Sequence, residues 1–206
     1  MTPVFPTQIG FNVTSPIEGY DTLTPDELQK ASLLMHPQQV IALFQIPENE
    51  LNPDLLKDEL ILMLDGVQDP GNLGTIARVA DWFGIRHIIC SPDTADIYNP
   101  KAVQATMGAL ARVKFYYTEL AMVLSQYSGP IYGTFLDGNN IYKEELSRNG
   151  IIVMGNEGKG ISQRTREMIN RRLLIPNYPE GTLTTESLNV AIATSIVCAE
   201  FRRRSQ

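Results

Sequence analysis

Leu60-Ile61-Leu62-Met63-Leu64 runs directly into Asp65-Gly66-Val67-Gln68-Asp69-Pro70-Gly71-Asn72, and that loop opens into Leu73-Gly74-Thr75-Ile76-Ala77-Arg78-Val79-Ala80. The five apolar residues have the length and content of a buried strand. Residues 73–84 read as a helix, with Asn72 before it and Gly84 after it. Working outward, strands are predicted over 86–90, 113–117, 130–136, 151–154 and 172–175. Helices are predicted over 100–110, 119–127, 163–170 and 186–204, the last being the longest. Strand–helix alternation over some 140 residues implies βαβ units and a mainly parallel sheet covered on both faces.

Upstream of residue 60 the pattern changes. Residues 1–25 are rich in Pro, Thr and Gly and read as loop or poorly ordered tail. Thr24 followed by Pro25 marks the start of a short helix that Pro37 limits, and residues 40–44 form an apolar strand. Residues 47–59 are an acidic connector. The expected division is a leader over 1–59 and a main domain over 60–206. Within the leader, Asn12-Val13-Thr14 matches a glycosylation sequon, taken as a chance match.

The chain has 206 residues, 43% hydrophobic and 19% charged. That composition supports a packed core and excludes wholesale disorder. No apolar run approaches the ~20 residues of a membrane helix, and no signal-peptide pattern opens the chain. Cys90 and Cys198 sit in apolar runs and are expected to be free buried thiols, which points to a cytoplasmic setting. Neither they nor His36 and His87 have metal-ligand spacing, so no metal is expected. Net charge is −6, but residues 1–60 hold nine acids and two bases, whereas residues 61–206 hold 14 acids and 15 bases. The acidity belongs to the leader. Arg164, Arg166, Arg171, Arg172 and then Arg202, Arg203 and Arg204 could meet phosphates, or could form a solvated helix face and frayed end.

In a parallel sheet, ligands bind beyond the carboxyl ends of the strands. Three polar, glycine-bearing loops lie there: residues 65–72, 155–160 and 177–189. Gly158-Lys159 is followed by Gly160, and Val153 stands where a P-loop needs its first glycine, so a P-loop is excluded. Gly66, Gly71 and Gly74 have the wrong gaps for a dinucleotide fingerprint, and Gly158-x-Gly160 is followed by Gln163. A serine-hydrolase elbow and a zinc-protease motif are both missing from the sequence.

Three segments in order, Asp65 to Ala80, Met154-Gly155-Asn156-Glu157-Gly158-Lys159-Gly160-Ile161-Ser162, and Ile175-Pro176 with Ser187-Leu188-Asn189-Val190-Ala191, resemble the three motifs of the TrmH/SpoU branch of the SPOUT RNA methyltransferases. Met107-Gly108-Ala109 also fits. The resemblance covers about residues 60–204. It implies an α/β fold with a mainly parallel sheet and a C-terminal deep trefoil knot. It further implies S-adenosylmethionine as cofactor, methylation of a ribose 2′-hydroxyl in tRNA or rRNA, and a homodimer.

Carried over residue by residue, the resemblance implies catalytic roles for Asn72, Arg78, Glu157, Ser187 and Asn189. Arg78 would clamp and orient the RNA. A role as base is secondary, because free arginine keeps its proton beyond about pH 12. Glu157 would organise the loops against Arg78 or Asn72. Thr134, Phe135, Leu136, Gly155, Ile175 and Leu188 would hold the cofactor, largely through main-chain atoms. Plainer roles exist for each: Asn72 as a helix cap, Arg78 as a surface ion-pair partner, Glu157 paired with Lys159, Glu186 and Ser187 as the start of the last helix. Two departures from the family stand out: an N-terminal region shorter than an RNA-binding domain, and a third-motif loop about four residues longer than usual. The rival functions are a non-catalytic RNA-binding relative that keeps the knotted fold, and a small-molecule enzyme using another nucleotide.

Overall fold

A computed structural model describes residues 6–11, 21–32, 34–52, 54–179, 181–185 and 187–204. Asn12 to Thr14 and Glu186 lie outside the described residues. The chain divides into two compact units, residues 1–48 and 49–206.

In the first unit, β1 (Pro6–Phe11), β2 (Asp21–Thr22) and β3 (Val40–Phe44) form a sheet in the order β2-β1-β3, with β1 parallel to β2 and antiparallel to β3. The expectation of loop over residues 1–25 is corrected at 6–11 and 21–22, while residues 1–5 and 12–20 lie outside the described residues. The pairing of Ile9 with Ala42 and of Gly10 with Ile41 comes from residues distant in sequence, which local periodicity does not report. Helix α1 (Pro25–Ala31) begins as predicted. The Thr24 backbone N–H donates to Glu27 at 2.9 Å and the Glu27 N–H donates to Thr24 Oγ1 at 3.3 Å, a reciprocal cap.

The second unit opens with α2 (Leu55–Asp58), inside the stretch read as connector, and β4 (Leu60–Asp65). There follow α3 (Pro70–Trp82), β5 (His87–Cys90), α4 (Pro100–Thr106), β6 (Lys114–Tyr117), α5 (Leu120–Ser125) and β7 (Ile131–Asn140). The chain closes with β8 (Gly150–Gly155), α6 (Gln163–Arg166), β9 (Arg171–Leu174) and α7 (Val190–Arg203). Six strands run parallel in the order β6-β5-β4-β8-β7-β9. Reversal of the strand order on either side of β4 puts a switch point at the carboxyl ends of β4 and β8, where crossovers leave to opposite sides. The pairing of Asp65 with Gly155 brings the first two polar loops to that point.

All six residues of β4 are buried, as are the first five of β8, so each sheet face needs its own helical cover. Leu62, Leu64, Ile88, Ile152 and Met154 pack with Leu73, Ile76 and Ala77 of α3 and with Val197 and Phe201 of α7. On the other face Ile61, Met63, Ile89, Ile151 and Val153 pack with Leu120 and Leu124 of α5. Burial of a Leu or Ile side chain contributes roughly 1.5–3 kcal/mol. A Cβ at Gly74 would stand 2.4 Å from the Ala102 carbonyl oxygen, so glycine lets α3 and α4 touch.

The β7–β9 pairing is irregular. Leu173 pairs with Thr134 and again with Asn139, so residues 135–138 bulge around that strand. A Cβ at Gly138 would meet Leu173 backbone atoms at 2.5–2.9 Å. From the end of this bulge, the Ile141 N–H donates to Leu174 O at 2.9 Å. Helix α7 ends on the segment that follows: Arg204 donates to the carbonyls of Ile141, Tyr142 and Glu144 and to buried Glu200. Both cysteines are buried and unbridged, and burial pushes the Cys198 thiol up to about 12 and that of Cys90 further. Among the described residues no helix is long and apolar enough to cross a membrane.

Candidate active site

The first polar loop is shaped by Asp69. Its carboxylate accepts from the Asn72 N–H at 2.8 Å and caps α3, with Pro70 as the first helical residue. The expected cap was Asn72. Because Asp69 takes that place, Asn72 is the third residue inside the helix and its amide is available for other partners. Lys101 Nζ lies 2.8 Å from Asp69 Oδ2, and this bond, followed by that from Asn72, holds the Asp69 carboxyl below the usual carboxylate range.

Asn72 joins the three motifs. Its Nδ2 donates to Glu157 Oε1 at 3.1 Å, and its Oδ1 accepts from Asn189 Nδ2 at 2.9 Å. Asn189 caps α7, accepting from the N–H groups of Ala191 and Ile192 at 2.9 and 3.3 Å. Glu157 also accepts from the N–H groups of Gln68 and Asp69 at 3.3 and 3.4 Å. Three loops far apart in sequence therefore meet through one chain of side-chain hydrogen bonds. Glu157 pairs with Asn72 rather than with Arg78, and among the described residues it has no ion pair with Lys159.

Two further residues build this end of the sheet; both lie inside the three motifs, which implied no role for them. Asn156 Nδ2 donates to Gly66 O at 2.6 Å, while its Oδ1 accepts from the N–H groups of Gly158 and Lys159 at 2.9 Å each. Asp65 Oδ2 accepts from the Ser162 N–H at 2.8 Å. A Cβ at Gly155 would come within 2.3 Å of Gly160 C and Ile161 N, so the second loop folds back tightly over the strand end.

Arg78 is exposed on α3, and among the described residues its side chain has no hydrogen-bond or ion-pair partner. A free guanidinium beside a polar cluster can bind phosphate bidentately. Ser187 is exposed and stands outside the hydrogen-bonded chain. Thr134 Oγ1 lies 4.0 Å from Met154 Sδ, and Ile175 packs on the core. Leu136 and Leu188 remain 78% and 49% exposed, large apolar side chains beside polar loops. The Phe135 ring carries the guanidinium groups of Arg166 and Arg172, at 4.8 and 3.9 Å from its centroid.

Of the C-terminal arginines, Arg202 donates to the carbonyls of Phe83 and Gly84 at 2.7 and 3.2 Å, just past the end of α3. Arg203 pairs with Glu200, and Arg204 binds the carbonyls described above. Arg202 and Arg204 are thus engaged by backbone carbonyls rather than held free for phosphate. Among the described residues, no group of three His, Cys, Asp or Glu could hold a metal ion.

Residues 59–199 match the family model of the SpoU rRNA methylase family. The chain belongs to that family. A Bacillus subtilis relative, the 23S rRNA (guanosine(2553)-2′-O)-methyltransferase RlmP, is 30% identical over 200 residues, covering 95% of this chain and 77% of the relative. A TrmH-family protein from Porphyromonas gingivalis superposes with a TM-score of 0.84 at 39% identity, over 98% of this chain and 84% of that one. An AdoMet-bound rRNA methyltransferase from Sinorhizobium meliloti gives 0.80 at 28% identity, over 91% of this chain and 74% of that one. In this SpoU-family chain, the mainly parallel α/β sheet expected from the sequence is the fold of these neighbours.

Proposed function

We propose that this chain methylates the 2′-hydroxyl of a guanosine ribose in 23S ribosomal RNA, with Asn72, Arg78, Glu157, Ser187 and Asn189 as its catalytic residues. The broader activity follows from the family: the chain is an S-adenosylmethionine-dependent RNA ribose 2′-O-methyltransferase. The observation that carries the proposed site is the Asn189–Asn72–Glu157 chain of hydrogen bonds, which ties the three family motifs to one end of the sheet.

The residues present suit the cofactor. Main-chain groups at Thr134, Phe135, Leu136, Gly155, Ile175 and Leu188 would hold it, with donors and acceptors for the edge of an adenine. The exposed Leu136 and Leu188 side chains offer apolar cover for its ring. When bound, S-adenosylmethionine supplies a methyl group on a positively charged sulfur, already an activated leaving group. The protein's own part is then mostly positioning, which can be worth several kcal/mol of barrier. Arg78 grips an RNA phosphate and turns the ribose oxygen inward, and its positive charge favours that oxygen as its proton passes to solvent water. Glu157 and Asn189 hold the Asn72 amide in one orientation, and Asn72 in turn fixes the floor of the site.

Three further features belong to this proposal. The bulge of residues 135–138 around Leu173, and the return of α7 onto residues 141–144, support a C-terminal trefoil knot, a rare exception to unthreaded connections. Exposed Trp82 (84%) and Ile192 (52%), on the two helices that carry Asn72 and follow Asn189, support a homodimer with its site near the interface. Residues 1–59 would contribute to RNA binding, and the protein would act in the cytoplasm without a metal. Tritiated methyl transfer to ribosomal RNA tests the activity, with Arg78→Ala as comparison. Wild-type transfer lost in the variant supports the proposal. RNA binding with no transfer by either protein rejects it in favour of a non-catalytic relative.

A further inference from the structure

Basic residues near the C-terminus are held in two different ways. Arg202 and Arg204 donate to backbone carbonyls, and Arg203 pairs with buried Glu200. The stretch 159–172 differs. It carries Lys159, Arg164, Arg166, Arg171 and Arg172 against one acid, Glu167, in a chain of net charge −6. Arg166 on α6 and Arg172 on β9 converge on the Phe135 ring of β7, with guanidinium carbons 4.8 and 3.9 Å from its centroid. An aromatic face steadies a guanidinium without using its N–H donors, so the donor edges stay available.

The anion these two arginines share is exposed. Arg172 hydrogen-bonds to Asp137 Oδ1, and Arg166 Nη2 lies 3.6 Å from the same oxygen. A solvent-exposed pair of this kind is held weakly and exchanges readily for another anion. The bond from Arg172 lowers the Asp137 pKa, so at neutral pH the carboxylate is a charged occupant of the pair. Nearby, Arg164 reaches Glu119 only at 3.5 Å, and the Arg171 side chain has no ion pair among the described residues.

We propose that Arg166 and Arg172, seated on Phe135, form a phosphate clamp for the RNA backbone, which Asp137 occupies until RNA displaces it. A phosphodiester presents two oxygens to a guanidinium fork as a carboxylate does. Position supports an RNA strand as the occupant. Phe135 and Asp137 are continuous with residues 134–136, so a strand gripped here leads towards the cofactor loops. This inference rests on the chain acting on RNA, and it names where the backbone is held.

The test is equilibrium binding of a 23S rRNA transcript by the full chain across a series of salt concentrations, with no methyl donor present. The double variant Arg166→Gln/Arg172→Gln should bind about tenfold more weakly. Its slope of log K against log salt should fall by roughly 0.8, since the clamp holds one phosphate and each phosphate contact contributes ~0.7–0.9. Asp137→Asn, which removes the internal competitor, should bind RNA about threefold more tightly. If the arginines served only to staple β7 to β9, Asp137→Asn would weaken binding instead. That result, or an unchanged affinity and slope in the double variant, overturns the clamp. Calorimetry with S-adenosylhomocysteine on the same preparations reports separately on the methyltransferase reading, because the RNA titrations contain no cofactor.

Discussion

The bond from Asn72 to Glu157 can be turned from attraction to repulsion by a single atom change. Asn72→Asp keeps the shape of the side chain but puts a carboxylate where an amide nitrogen now lies 3.1 Å from Glu157 Oε1. Two unit charges at that distance repel by about 1.3 kcal/mol with the screening of bulk water and about 5 kcal/mol at an effective dielectric of ~20. The loop is solvent-facing, so the lower figure applies. The lost hydrogen bond adds about 1 kcal/mol. A negative charge in the first turn of α3 returns roughly 0.5 kcal/mol through the helix dipole. Repulsion wins, and the net destabilisation is about 2 kcal/mol at pH 7. For a chain of this size, that lowers Tm by about 4–8 °C. The sign of the pH dependence follows. The new carboxyl at position 72 has its folded pKa raised above its unfolded value, so the penalty is present above that folded pKa and disappears as pH falls through it. Once protonated, the carboxyl can donate to Glu157 and restore the bond. Melting curves of wild type, Asn72→Asp and Asn72→Ala between about pH 4 and pH 8 measure this. The Asn72→Asp deficit should shrink on acidification while that of Asn72→Ala stays level. Parallel pH profiles for the two variants would refute the proposed contact between the first and second motifs.

Other outcomes follow from the same structure. Glu200 is 5% exposed, and its bonds to Arg203 and then Arg204 hold its pKa down to about 2. Its stabilising effect, about 2–3 kcal/mol, should be complete above about pH 4.5 and vanish as pH falls towards 2; urea titrations of wild type and Glu200→Gln should differ at pH 7 and converge in acid. Gly138→Ala places a methyl against the Leu173 backbone, which cannot swing aside, so stability should fall by about 1–3 kcal/mol and S-adenosylhomocysteine affinity with it. Cys90 and Cys198 should stay unreactive towards a thiol reagent near pH 8 in the folded chain and react together once urea unfolds it.

Much of this architecture is legible in the chain because its strands are strongly marked. Apolar runs such as Leu60–Leu64 and Ile151–Met154 have no alternation, as strands covered on both sides require. Helix limits are less visible. Asp69-Pro70 carries the start signal for α3, but the neighbouring polar residues of the loop compete with it, and placing the cap at Asn72 is wrong by three residues. The strands of residues 6–11 and 21–22 escape detection because their partners are remote. In the candidate site, the ordered motifs mark Asn72, Glu157 and Asn189, and the fold brings these three together. Motif spacing carries no information on Lys101, which arrives from a neighbouring helix, or on Asp137, which is meaningful only beside Arg166 and Arg172. The arginines of residues 202–204 show the reverse case: a charge run that looks available in sequence is engaged in the folded chain, Arg202 and Arg204 by backbone carbonyls and Arg203 by Glu200.

The most direct measurement is where a labelled methyl group ends up. Purified protein, S-adenosyl[methyl-³H]methionine and ribosomal RNA lacking this modification should yield tritium in a dinucleotide that survives alkali, because a methylated 2′-oxygen cannot attack the adjoining phosphate. Arg78→Ala should lose most of that label while still binding S-adenosylhomocysteine. Tritium on a base, or RNA that stays unlabelled while the cofactor binds, would contradict the assignment of a ribose oxygen as the acceptor.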